Sequence, residues 1–145
     1  MALTAKKTAS EVCITQYDFD PNGTSATAVG WVDMKDFSKF MASFFRTIGT
    51  GTLAFIIQAS ASSDGSSPET IVTKTVSSEP NAVGDYIFCE CLSEQIAQIG
   101  SETGKALRYV SATLTFGTGT DEGVVTYVRS GARFKYDALT ADYVS

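Results

Sequence analysis

The sequence predicts an all-β chain: a single β-sandwich, jelly-roll-like domain of about eight short strands with one short helix. Three observations predict it. Apolar and polar residues alternate with period two in most of the apolar segments. Turn residues recur at short, regular intervals. Threonine, serine, valine and glycine are plentiful, whereas there are 3 prolines, a mix that favours extended strands. The expected layout is a flexible arm over 1–9, the sandwich over 10–136 and a tail over 137–145. A chain of 145 residues can bury a core without staples.

Residues 10–17 alternate, with Val12 and Ile14 on one face and Cys13, Thr15 and Tyr17 on the other. Residues 18–25 read as a turn, in which Pro21 fixes φ and Asn22-Gly23 takes positive φ readily. Asp18, Asp20, Asn22 and Gly23 match the first half of a calcium loop. The twelfth position is Val29, where a bidentate glutamate is required, so a plain turn is expected.

Residues 28–34 read as a second strand, and 36–39 as a short polar turn. Residues 40–46 and 52–59 are expected to form a hairpin across Ile48-Gly49-Thr50-Gly51, making the core of one sheet. A helix over 34–46 would place Phe37, Phe40, Met41, Phe44 and Phe45 on one stripe; the glycines and threonines that follow favour the hairpin. Residues 31–60 hold the one tryptophan and much of the phenylalanine, so the core is expected there.

Residues 60–69, SASSDGSSPE, suit an exposed, mobile loop. Strands follow over 70–76 and 85–91, with a loop over 77–84 between them. Over 92–99 the period changes: Leu92, Ile96 and Ile99 recur at helical spacing, with Ser93 as cap and Gly100 as the expected stop. Residues 106–116 form the longest alternating run. A turn over 117–123 leads to strands over 124–128 and 132–136, with Ser130-Gly131 between them. The two GTGT tetrapeptides, at 49–52 and 117–120, share turn chemistry.

Net charge is −5, and 11 scattered basic residues stand against 16 acidic ones. Nucleic-acid affinity rests on lysine and arginine contacts to phosphate, so neither nucleic acid nor an anionic membrane is an expected partner. The first ten residues lack the apolar stretch of a signal peptide, and no window approaches a membrane span, so synthesis in a cytoplasm is expected.

There is no histidine, which removes the usual general base and the commonest metal ligand. The carboxylates sit mainly in turns, Asp121 and Glu122 included, where solvation explains them. Cys13, Cys89 and Cys91 are expected to be small buried hydrophobes. No catalytic residue, cofactor or metal site is expected, and no enzymatic activity. Arg46, Arg108, Arg129 and Arg133 lie in or beside strands, where structural ion pairs or intersubunit contacts are expected.

Several short motifs follow one another in a suggestive order: Trp31-Val32-Asp33, a polar turn, an apolar hairpin ending in Ile57-Gln58-Ala59-Ser60, an Asp-Gly loop, Leu92-Ser93-Glu94-Gln95, and Arg108-Tyr109-Val110. In this arrangement residues 28–130 resemble small virion structural proteins of tailed bacteriophages, encoded among head and neck genes. The resemblance implies a virion localisation and a subunit that decorates or cements the capsid. Its expected partners are the major capsid protein or other virion proteins, and further copies of itself, with a trimer favoured. Neck, collar or tail is the alternative position, and a carbohydrate-binding sandwich using Trp31, Tyr127 or Tyr136 the alternative role. Phe37, Phe40, Phe44 and Phe45 exceed what one face of a single hairpin needs, and the interface candidates are Phe44 and Phe45 together with Arg108, Leu139 and Tyr143.

Overall fold

The computed structural model describes residues 12–20, 23–76 and 82–132. The expected arm, the tail with Leu139 and Tyr143, and the expected strand residues 133–136 lie outside them. Two antiparallel sheets face each other. The first has the order β1-β9-β4-β7, from β1 (Val12–Phe19), β9 (Glu122–Ala132), β4 (Phe37–Ile48) and β7 (Tyr86–Leu92). The second has the order β2-β8-β5-β6, from β2 (Thr27–Ala28), β8 (Tyr109–Phe116), β5 (Leu53–Ser60) and β6 (Glu69–Val76), with β3 (Val32–Asp33) also paired to β8. Counting β2 and β3 as one interrupted strand gives the strand order of a jelly roll. The expected fold class holds.

The core forms because alternate residues of every long strand point inward. Phe40, Ala42 and Phe44 of β4 and Val125 and Tyr127 of β9 meet Phe55 and Ile57 of β5 and Val110, Ala112 and Leu114 of β8. Phe116 joins Phe44 at a ring-centroid distance of 5.5 Å and Phe19 at 5.9 Å. Phe19 belongs to β1, which continues through two residues expected in the turn.

The expected hairpin over 40–59 is not one. β4 lies in the first sheet and β5 in the second, so residues 49–52 cross between sheets instead of turning within one. Both strands are apolar on an alternating set, which fits either arrangement; their residues meet across the core instead of side by side. The strand expected over 28–34 is broken into β2 and β3. The strand expected to end at Val128 runs on through Ser130 and Gly131, and Gly131 takes φ 64° within it.

The helix α1 (Ser93–Thr103) runs beyond its expected stop. Gly100 lies inside it, where Lys105 O passes so close that a Cβ would be 2.6 Å away. The left-handed cap is Gly104, at φ 68°, and Lys105 N donates to Gly100 O at 2.9 Å. Leu92, not Ser93, is the N-cap residue, and Gln95 Oε1 accepts from its backbone N–H at 2.8 Å.

The loop over 61–68 is mostly exposed and carries its own hydrogen bonds. Ser60 Oγ donates to Ser66 O at 2.7 Å, Ser66 N donates to Asp64 Oδ1 at 2.9 Å, and Lys105 Nζ donates to Ser67 O at 3.0 Å. Hydroxyl and amide donors, with Ser62 first, hold the Asp64 carboxyl below its usual range.

Candidate interaction face

The outward side of the first sheet is unusual. Alternation in its four strands places a second apolar set on the solvent side. β7 offers Tyr86, Phe88 and Leu92 outward while Ile87, Cys89 and Cys91 point into the core. Val12 and Ile14 of β1 and Phe45 of β4 are likewise exposed, with half-buried Met41, Val124 and Val128 between them. Tyr86 is 70% exposed, Ile14 65% and Phe45 45%. Every exposed large hydrophobic among the described residues lies on this sheet or, as Val83, in the turn entering β7; the five-stranded sheet contributes none. Scattered exposed apolar residues are ordinary, but their concentration on one face is not.

Strand register places these residues in rows. Val12, Ser130, Lys39 and Leu92 form the row nearest α1, and Asp18, Val124, Phe45 and Tyr86 the row farthest from it. An open depression of about 560 Å³ lies at the α1 end, lined by Lys39, Met41, Leu92, Gln95, Val128 and Ser130. At the opposite corner Phe45 and Tyr86 project as neighbours. Lys74 brackets Phe88 from the edge, donating to its carbonyl at 3.1 Å with Nζ 5.1 Å from the ring centroid.

The interface candidates fall in different places. Phe45 is on this face. Phe44, its neighbour in sequence, is fully buried in the core. Arg108 is exposed beside β3 and grips Asp33: Nε donates to Oδ1 at 2.8 Å and Nη2 pairs with Oδ2. That guanidinium holds the Asp33 carboxyl below its ordinary range, helped by Lys35 N donating to Oδ1, and is itself pushed upward by the pairing. Tyr86, Phe88, Leu92, Val12 and Ile14 were not expected on an interface. Their signal was present as a second apolar register in strands whose first register already filled the core.

The other ions are structural. Arg46 and Asp121 are fully buried, with Nη1 to Oδ2 at 3.0 Å, although Asp121 was expected in a solvated turn. Arg46 Nη2 also donates to Gly51 O at 3.0 Å, and its guanidinium lies 5.8 Å from the Phe116 ring centroid. The pair sits where the two GTGT turns meet: Gly117 N donates to Thr52 O at 2.9 Å and Thr118 Oγ1 to Thr50 O at 3.4 Å. Arg129 donates to Asp33 O at 2.8 Å and to Cys13 Sγ at 2.9 Å. Cys13 is therefore half-buried against a cation, unlike Cys89 and Cys91, which are buried among apolar groups. Burial pushes the Cys89 thiol up and the Cys91 thiol up to about 12.

Tyr127 reaches across the sandwich to β8, where its hydroxyl accepts from Ala112 N at 2.8 Å and lies 3.2 Å from Ser111 Oγ. Ala112 is opposite the break between β2 and β3, so the phenol supplies a partner that the interrupted strand does not. Burial raises that hydroxyl to about 12. Trp31 packs against Gly65, so closely that a Cβ there would lie 2.0 Å from the indole. Of the three aromatics of the carbohydrate-binding alternative, Tyr127 is thus committed to the core, Trp31 is half-buried against Gly65, and Tyr136 lies outside the described residues.

No family model matches the chain, and no curated protein matches it. Among solved structures it is similar to a chain of Bacillus endospore appendages, which form disulfide-linked pili, at 10% identity and TM-score 0.46, over 84% of this chain and 86% of that one. It is similar to the SPBc2 prophage-derived protein YomS at 13% identity and TM-score 0.41, over 82% and 95%. A third likeness is to VP2 of the infectious bursal disease virus subviral particle, at 11% identity and TM-score 0.46, over 89% of this chain but 35% of that one. Likenesses this faint carry no functional argument, so function is taken from the chain's own surfaces.

Proposed function

We propose that the protein is a non-enzymatic structural component of a phage particle, a capsid decoration or cement subunit that binds and stabilises the head shell as an oligomer. The observation that carries this reading is the apolar outer face of the first sheet, a surface built for protein contact. The resemblance of residues 28–130 to small tailed-phage virion proteins supplies the setting, and the absence of histidine from the sequence agrees with a non-catalytic role. Phe45 belongs to the face, and Arg108, Leu139 and Tyr143 are proposed as additional contacts. Phe44 supports the face from beneath.

The test is to add the purified chain to head shells stripped of it and to measure bound copies by sedimentation. Saturable binding, with shells that resist heat better, is expected. Shells that take up none would refute the reading. Gold labelling of the protein in intact particles then distinguishes the head from a neck, collar or tail position.

A further inference from the structure

We propose that the outer face of the four-stranded sheet is where two copies of this chain stack, sheet on sheet, as a two-fold dimer. The inference rests on the reading of that face as the interaction surface and names its occupant.

Shape is the first argument. A two-fold interface requires a surface complementary to itself, because residue i meets j and j meets i. Here the projecting corner, Phe45 and Tyr86, and the depression beside Leu92 and Met41 occupy opposite ends of one face. A two-fold axis at the level of Ala42, between the Met41 row and the row where Ser43 pairs with Thr126 and Phe88, exchanges the two ends. Each copy's aromatic corner then enters the other's depression. Twisted sheets stack in this way about 10 Å apart, as this chain's own two sheets do.

Size agrees. Four strands spaced ~4.8 Å apart and about seven residues of ~3.4 Å give roughly 450 Å² in projection. Over two copies that is about 900 Å², the scale of a weak, reversible interface, with Ile48 exposed at its margin. Charge agrees as well. The chain carries a net −5, so two copies repel wherever acidic surfaces meet. Between the first and last rows the outward ionic side chains are Lys39, Glu90 and Asp18. Lys39 and Glu90 sit on adjacent strands one row apart, where their charges offset each other. Flat stacking on a shared face is two-fold, so the proposed unit is a dimer in place of the trimer that the sequence favours.

Sedimentation equilibrium of the full chain from about 1 to about 100 µM tests this. The wild-type chain is expected to be dimeric, and F45D/F88D to weaken association by ~100-fold or more while its far-ultraviolet dichroism stays native. Ser43→Arg, at the centre of the face, is the second variant and should do the same. Thr73→Asp, on the exposed side of the other sheet, should leave the dimer intact. A wild-type chain monomeric at about 100 µM, its face covered by residues 133–145 or reserved for a different protein, would overturn the proposal, as would a dimer that survives both face variants. The two readings fail separately. A monomer that still loads onto head shells removes the dimer and keeps the structural role; a dimer that never binds shells does the reverse.

Discussion

Phe44 and Phe45 are adjacent, chemically identical and opposite in fate. Phe44→Asp puts a carboxylate against Phe116 and Val125 with no partner, a cost of about 5 kcal/mol or more that is comparable to the whole stability of a domain. It should yield insoluble chain or no cooperative urea transition. Phe45→Asp should stay folded within ~1 kcal/mol of wild type. Arg46→Met strands the buried Asp121 carboxylate and should cost about 3–5 kcal/mol, whereas R46M/D121L should recover most of it in urea melts. Tyr127 gives a pH signature. Burial lifts its hydroxyl from 10.0 to about 12, so the folded state favours the neutral form. That stability is fully present below pH 10 and is lost as pH rises toward about 12. Tyr127→Phe should lose about 1–3 kcal/mol at neutral pH, because Ala112 N loses its acceptor, and should flatten the alkaline decline. The decline that remains includes Cys89 and Cys91, whose thiols burial also raises. At this scale the sequence was partly legible. Alternation found the two registers of β4 and β7, but with both apolar it could not say which one faced in. Asp121 read as solvated because nothing local reveals that Arg46, 75 positions earlier by the numbering, closes over it.

Connections were harder to read than strands. Strand signals depend on neighbours in sequence, whereas a crossing between sheets depends on what lies opposite. The Ile48-Gly49-Thr50-Gly51 turn has the composition of a hairpin, yet Gly49 sits at φ 99° with Asp121 Oδ1 where its Cβ would go, 1.6 Å away. Gly84 has a similar φ of 93° but open space around it. Gly84→Ala should therefore cost only the backbone term, about 1–2 kcal/mol, while Gly49→Ala should cost ~3 kcal/mol or more by also displacing the buried ion pair. Urea midpoints of the two variants check the difference; equal losses would mean that the turn yields without disturbing Asp121. The helix stop was misplaced for a related reason. Gly100 and Gly104 both follow helical residues; the second takes the left-handed cap, and the first is a glycine because Lys105 O leaves no room for a Cβ.

For the whole molecule, the sandwich and its approximate strand number were legible because period two pervades the chain, and the exposed apolar face was not, because exposure belongs to the assembled sheet. Thiol accessibility reports on that assembly. Among the 3 cysteines, Cys89 and Cys91 are shielded with their thiols held neutral, and Cys13 is half-buried at the edge strand. Ellman's reagent should titrate at most one thiol promptly in native protein and all three in urea; three prompt thiols would contradict the packing of β7. The strand order has a further effect, on timing. The first sheet joins β1 directly to β9, with Val12 opposite Ser130. During synthesis, β1 emerges long before its one neighbour, and β4 has β7 alone until Glu122–Ala132 follows. The four-stranded face is therefore complete only once β9 joins β1 to β4. Stacking that needs all four strands waits for the last described strand, whereas the β4–β7 pair with Phe45, Tyr86, Phe88 and Leu92 can form before it.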